Sequence, residues 1–212
     1  MEFWNDVVTD KSWEVLIQLS KEFDFILIGG WAAYLHTKTL KSKDIDIVVD
    51  FDTLDILVTK YRLKKNMKLK NYEIIINEIS VDIYVPYFSD LIIPLEKLDE
   101  YSTNIEGIKV VKPELLLILK QEAELVRKDS IKGQKDRTDI INILINSDIQ
   151  LKKYFDIVKK YKLFEYPKRL EKIIRTAKRE FEYLGIRNPR KIKLIKKKLT
   201  KKIKEGRTKL KS

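Results

Sequence analysis

Apolar residues recur along this chain in two rhythms, and the change from one to the other divides it. Residues 25–28 form an unbroken apolar run that stops at Gly29-Gly30, and residues 44–49, 72–76 and 79–85 are short, β-branched and partly alternating; each predicts a strand. Residues 31–36 predict a helix that begins at once after the glycine pair, and 11–23 predict one capped by Asp10, with Trp13, Val15, Leu16 and Leu19 as its apolar stripe. A short helix is expected over 53–60, leading into the basic run 62–70, which reads as a solvated hairpin flank or a phosphate-contacting edge, and Asn77-Glu78 joins two strands as a hairpin. Residues 91–110 read as a variable connection with short apolar pieces. From Lys112-Pro113 onward the spacing is helical, over 113–128, in the stretch after KGQKDRTD, over 148–161 behind Asp148, over 166–184 up to Gly185, and over 190–204 behind Asn188-Pro189. The pattern predicts an α/β (α+β) domain over 1–147, a helical domain over 148–205 and a disordered tail over 206–212.

Composition narrows the chemistry. An apolar share of 44% in 212 residues supports a real core. The absence of cysteine excludes disulfides and thiolate metal sites, and a single histidine speaks against a histidine-based zinc site, so any metal must be held by carboxylates. Acidic residues stand where a signal peptide needs basic ones, and no apolar run approaches the roughly 20 residues of a membrane span, so a cytoplasmic protein with no membrane partner is expected. The net charge of +12 is unevenly spread: residues 1–150 hold 20 Lys+Arg against 26 Asp+Glu, residues 151–212 hold 24 against 6. A polyanionic partner is expected along the C-terminal segment.

Residues 25–50 carry the most specific pattern. Where a strand meets a helix through two glycines, backbone N–H groups can approach an anion closely and the helix dipole adds partial positive charge. Thirteen residues later, strand alternation puts Asp44 and Asp46 on one face, with Cβ atoms roughly 6 to 7 Å apart, a spacing that suits two carboxylates sharing divalent cations. Oxygen ligands and bridging phosphates favour Mg²⁺. A glycine pair alone is usually a tight turn, and Asp-x-Asp alone is commonly a solvated strand face; it is their order and spacing together that point to a site. Asp82 shares a strand face with Ser80 and Tyr84, opposite Ile79, Val81, Ile83 and Val85, and looks toward Asp44 and Asp46 if the strands pair. His36 is read as a packing residue rather than a general base.

This compound pattern resembles the nucleotidyltransferase superfamily of the DNA polymerase beta type, with Gly29, Gly30, Asp44 and Asp46 at the signature positions. The string Gly29 to His36 looks still more like the small prokaryotic branch that includes the AbiEii-like toxins of abortive-infection systems, in which a basic and a small hydroxyl residue precede the aspartates, as Lys41, Ser42 and Lys43 do here. A second block, Lys120, Ala123 and Arg127 followed by Lys135, Asp136 and Asp139, also resembles that branch. The resemblance covers residues 22–145. It implies a nucleotidyltransferase fold with a mixed central sheet flanked by helices, and two Mg²⁺ ions on Asp44, Asp46 and Asp82 as the catalytic carboxylates. It further implies a nucleoside triphosphate held by Gly29, Gly30, Trp31 and Lys43, with Lys120 catalytic and both Lys120 and Arg127 on its phosphates. Salt bridges between those two bases and Asp136 or Asp139 are the alternative. Trp31-Ala32-Ala33 departs from the family by offering no hydroxyl, so phosphate contact must rest on backbone and lysines.

The function so implied is transfer of a nucleoside monophosphate to a hydroxyl acceptor, expected to be an RNA 3′ end such as that of tRNA, in a toxin with an antitoxin protein as partner. Two alternatives stand beside it: a small hydroxylated acceptor, as in aminoglycoside-modifying relatives, and a non-catalytic nucleic-acid-binding or antitoxin module.

Overall fold

The structure is a computed structural model that describes residues 5–210. It divides into two compact units, one ending at Lys112 and the other beginning at Pro113. The helix after Lys112-Pro113 packs with the later helices, so the second compact unit begins there, whereas the helical pattern draws a boundary at 148.

The first unit is a mixed seven-stranded sheet with helices. Its elements are α1 (Asp6–Glu22), β1 (Ile26–Ile28), α2 (Gly29–Thr37), β2 (Ile45–Val48), α3 (Phe51–Lys60), β3 (Lys64–Asn66), β4 (Asn71–Ile76), β5 (Ile79–Tyr84), β6 (Ser102–Ile105) and β7 (Ile108–Val111). The strand order is β3-β4-β5-β2-β1-β7-β6, parallel at β2–β5 and β1–β7 and antiparallel elsewhere. Leu27, Ile45, Ile47, Val81 and Ile83 alternate onto one sheet face and are fully buried, each contributing about 1.5–3 kcal/mol of hydrophobic stabilisation. Trp31 packs its ring 5.1 Å from that of Trp13 and donates from Nε1 to Ser12 Oγ at 2.9 Å, tying α2 to α1. Asn5, not Asp10, caps α1: its Oδ1 accepts from the Val7 N–H at 2.9 Å.

Two stretches read as loop carry structure. The basic run 62–70 contains β3, an edge strand whose lysines guard it against further pairing. The connection 91–110 folds into a 3₁₀ turn, Leu95–Tyr101, and the β6–β7 hairpin.

The second unit is all helix: α4 (Pro113–Arg127), α5 (Ile131–Asn146), α6 (Leu151–Lys160), α7 (Tyr166–Thr176), α8 (Arg179–Tyr183) and α9 (Pro189–Lys209). The single helix expected over 166–184 is broken at Ala177 and Lys178, where the Lys178 N–H donates to Glu180 Oε2 at 2.7 Å and starts α8 afresh. Tyr154, Leu170, Ile174, Phe181 and Ile203 are fully buried and form its core. Residues 206–212 are expected to form a disordered tail; α9 instead continues to Lys209, with Gly206 lying so close to α6 that a Cβ there would fall on the Phe155 ring. Residues 211 and 212 lie outside the described residues. Among the described residues no helix is long and apolar enough to cross a membrane.

Candidate active site

Chain geometry at the end of β1 decides where the glycine turn lies. Gly29 is the first residue of α2 and holds φ at +70°, in the left-handed region that a side chain disfavours. Ile28 pairs with Asp46 across the antiparallel β1–β2 register. A Cβ built on Gly29 would clash with Asp46 Oδ2 and stand 2.6 Å from Cγ, so the glycine leaves the space this carboxylate occupies. The turn and the second aspartate are thus immediate neighbours, and no side chain caps the first turn of α2.

Asp82 joins them through the sheet. Asp46 and Asp82 are direct partners in the parallel β2–β5 register, and Asp44 precedes β2 by one residue, on the same alternation as Asp46. All three carboxylates are half-buried. The row continues on β4, where Glu73 pairs with Asp82 and accepts from Ser80 Oγ at 2.8 Å, while Lys64 of β3 stands 3.9 Å from Glu73 Oε2. Asn71, on the same β4 face and 1% exposed, donates from Nδ2 to Asp82 Oδ1 at 2.9 Å. Its own Oδ1 is buried without a hydrogen-bond partner. An amide oxygen so placed costs free energy until a donor or a cation meets it.

These residues fit Mg²⁺ of the kind that keeps several waters and leans on substrate phosphates. Their donors are all oxygen, the Asp46 carboxylate closes directly onto the glycine turn, and the Asn71 oxygen lacks a partner next to Asp82. Among the described residues no three acidic or histidine side chains stand close enough to cage an ion unaided, which such a site does not require.

Other residues named from sequence fall elsewhere. The Trp31 side chain is in the core, so only its backbone belongs to the glycine turn. Lys43 is half-buried directly before Asp44. Lys41 pairs with Asp10 at 2.6 Å rather than with the aspartates. His36 Nε2 is 2.7 Å from the Val111 carbonyl, the packing role expected of it.

In the second unit, the residues of the second block form one network. Lys120, 5% exposed, places Nζ 3.1 Å from Asp136 Oδ1 and 2.7 Å from Asp139 Oδ2; Lys135 Nζ is 3.1 Å from Asp139 Oδ2. Arg127 grips Asp136 with Nε at 2.6 Å and Nη2 at 3.1 Å, a two-point contact. Burial would push the Asp136 carboxyl up, but Lys120 and Arg127 outweigh it and hold it below its ordinary range. Burial pushes the Lys135 ammonium down, against the pull of Asp139. Lys120 and Arg127 therefore both make the expected ion pairs, which are compatible with a phosphate role as well.

No family model and no curated protein matches the sequence. Among solved structures the chain is similar to an antigenic nucleotidyltransferase-like protein from Paracoccidioides brasiliensis, at 16% identity and a TM-score of 0.40 over 79% of this chain and 93% of that one. It is similar to the Megavirus polyadenylate synthase at 17% and 0.46, over 76% of this chain and 38% of that one. It is also similar to JHP933 from Helicobacter pylori at 15% and 0.47, over 98% and 99%. Likenesses this loose stand as observations, and the site is read from its own residues.

Asn71 and Glu73 escaped the sequence reading. Only the register of β4 against β5 brings them beside Asp82. The available signal was the alternation of β4, which puts residues 71 and 73 on one face.

Proposed function

We propose that the first unit is a Mg²⁺-dependent nucleotidyltransferase centre that transfers a nucleoside monophosphate from a nucleoside triphosphate to a hydroxyl. The observation that carries this is the convergence of Gly29, Asp46 and Asp82: one carboxylate lies in the space the glycine leaves open, and the other is its direct partner on the next strand. Asp44, Asp46 and Asp82 would hold two Mg²⁺ ions, whose chemistry is to neutralise phosphate charge and acidify the attacking hydroxyl. The backbone N–H groups of Gly29, Gly30 and Trp31, with Lys43, face the outer phosphates. Asp82, positioned by Asn71, accepts the hydroxyl proton; the new bond forms between acceptor oxygen and the α-phosphorus, the α–β anhydride bond breaks, and pyrophosphate leaves.

An RNA 3′ end is the acceptor this reading favours, because the second unit carries the basic excess. The toxin reading, with an antitoxin as partner, rests on the motif resemblance of residues 29–36 and of the block from Lys120 to Asp139. The test is incubation with each α-labelled triphosphate, Mg²⁺ and total RNA. Label should pass to RNA with the wild type and not with Asp46→Asn. Undiminished labelling by that variant overturns the assignment; labelling of a small hydroxylated acceptor alone replaces RNA; and Mg²⁺-independent nucleotide binding without transfer identifies a binding module.

A further inference from the structure

In the second unit the seam between α7 and α9 has a chemistry of its own. The two helices run antiparallel: Lys204 and Arg207 reach Glu171 at 3.6 and 3.1 Å near one end, and Lys196 donates to the Arg175 carbonyl at 3.1 Å toward the other. One cavity opens along it and a second continues beyond the end of α7, between α8 and α9. One, of about 740 Å³, is bordered by Lys168, Lys172, Arg175, Lys204 and Arg207. The other, of about 850 Å³, has an apolar floor of Ile186, Pro189 and Ile192 and a rim of Lys178, Arg187 and Lys193. Acids at the two cavities are few, Glu165 and Glu171 at the first and Glu182 at the second, and Glu171 already serves Lys204 and Arg207.

We infer that this seam is the track for a single strand of RNA, with phosphates on Lys172 and Arg175 in the first cavity and an unstacked base on the apolar floor of the second. The inference rests on the reading of an RNA acceptor and specifies where and in what form that RNA lies. Charge complementarity selects a polyanion. The apolar floor selects a strand whose bases are free to leave the stack, since a duplex keeps its base faces stacked and shows a wall only backbone and base edges. α9 spans about 31 Å at 1.5 Å per residue, a length that several nucleotides of extended strand would follow.

The opposite face of α9 supplies the control. Lys198 and Lys202 are exposed and lie across the helix from Lys193, Lys204 and Arg207, and their reversal changes net charge by the same amount as reversal at the seam. Binding of a fluorescent 12-nucleotide RNA, single-stranded or annealed, is measured by anisotropy at several salt concentrations. The wild type should prefer the single strand. The double variant Lys172→Glu/Arg175→Glu should weaken it by at least tenfold at low salt and lower the salt slope by about 1.4, from roughly 0.7 per phosphate contact. Lys198→Glu/Lys202→Glu should weaken it far less. Equal losses in the two double variants, or preference for the duplex, overturn the seam as the track. Absence of any RNA binding by the wild type removes the RNA acceptor itself, while Mg²⁺-dependent nucleotide binding by the first unit reads the transferase assignment separately. Both pairs are exposed, and an unchanged melting temperature verifies that each variant is folded.

Discussion

Two groups of aspartates in this chain meet opposite fates. Asp136 and Asp139 are buried among helices, and Lys120, Lys135 and Arg127 bring their counter-charge within 2.6 to 3.2 Å. Asp44, Asp46 and Asp82 lie half-buried on a sheet, with Glu73 beside them in the same row. Like charges in register on neighbouring strands repel unless a cation stands between them. The helical group is neutralised by cations on its own two helices, α4 and α5, and so stabilises the fold; the sheet group, on the proposed reading, is the one that would take up Mg²⁺.

The sharpest way to break this contrast is to remove one member of each group. Asp46→Asn should reduce nucleotidyl transfer by about three orders of magnitude with no change in melting temperature, whereas Asp139→Ala should cost about 3–5 kcal/mol of stability by leaving Lys120 and Lys135 buried without it. Activity assays and urea titration on both variants check this; a destabilised Asp46→Asn or a stable Asp139→Ala would erase the distinction. Lys120→Met divides the two roles open to that residue: loss of stability of about 3 kcal/mol with transfer falling only as protein unfolds fits the ion-pair network, while a stable and inactive variant returns it to the phosphates.

Next in size is Gly29→Ala. The left-handed backbone costs about 1–2 kcal/mol with a side chain, and the added methyl must displace Asp46, so nucleotide affinity measured by calorimetry should fall more than stability does. The smallest effect concerns pH. The Asp136 carboxyl titrates below its ordinary value when folded, so its stabilisation is complete above the unfolded value near 3.8 and is lost as pH falls through the depressed folded one. Arg127→Gln weakens that depression and should move the acid-unfolding midpoint upward by a fraction of a pH unit, read by circular dichroism.

Much of the site was legible because its signals are local. A glycine pair at a strand end, and two aspartates on one alternation, need no tertiary information to be recognised, and Asp82 followed from the alternation of its own strand. Asn71 and Glu73 needed the register of β4 on β5, which is set by the Asn77-Glu78 turn, both residues at positive φ. In the fold, β3 was hidden because a lysine run has the composition of a solvated loop, and only its place at a sheet edge explains those residues in a strand. The break between α7 and α8 was hidden for another reason: no glycine or proline marks it, and the buried Glu180 that receives the Lys178 N–H reads in sequence as one more helix former. The end of α9 was concealed by Gly206, which in isolation suggests fraying and here permits contact with Phe155.

That contact bears on how the basic helix should be studied. Trimming the chain before α9 would strip Leu199 and Ile203 from the hydrophobic interior and bare the aromatic ring of Phe155 to water. A shortened protein that loses RNA would then report collapse of its housing as readily as loss of lysines, so point reversals of charge are the informative surgery.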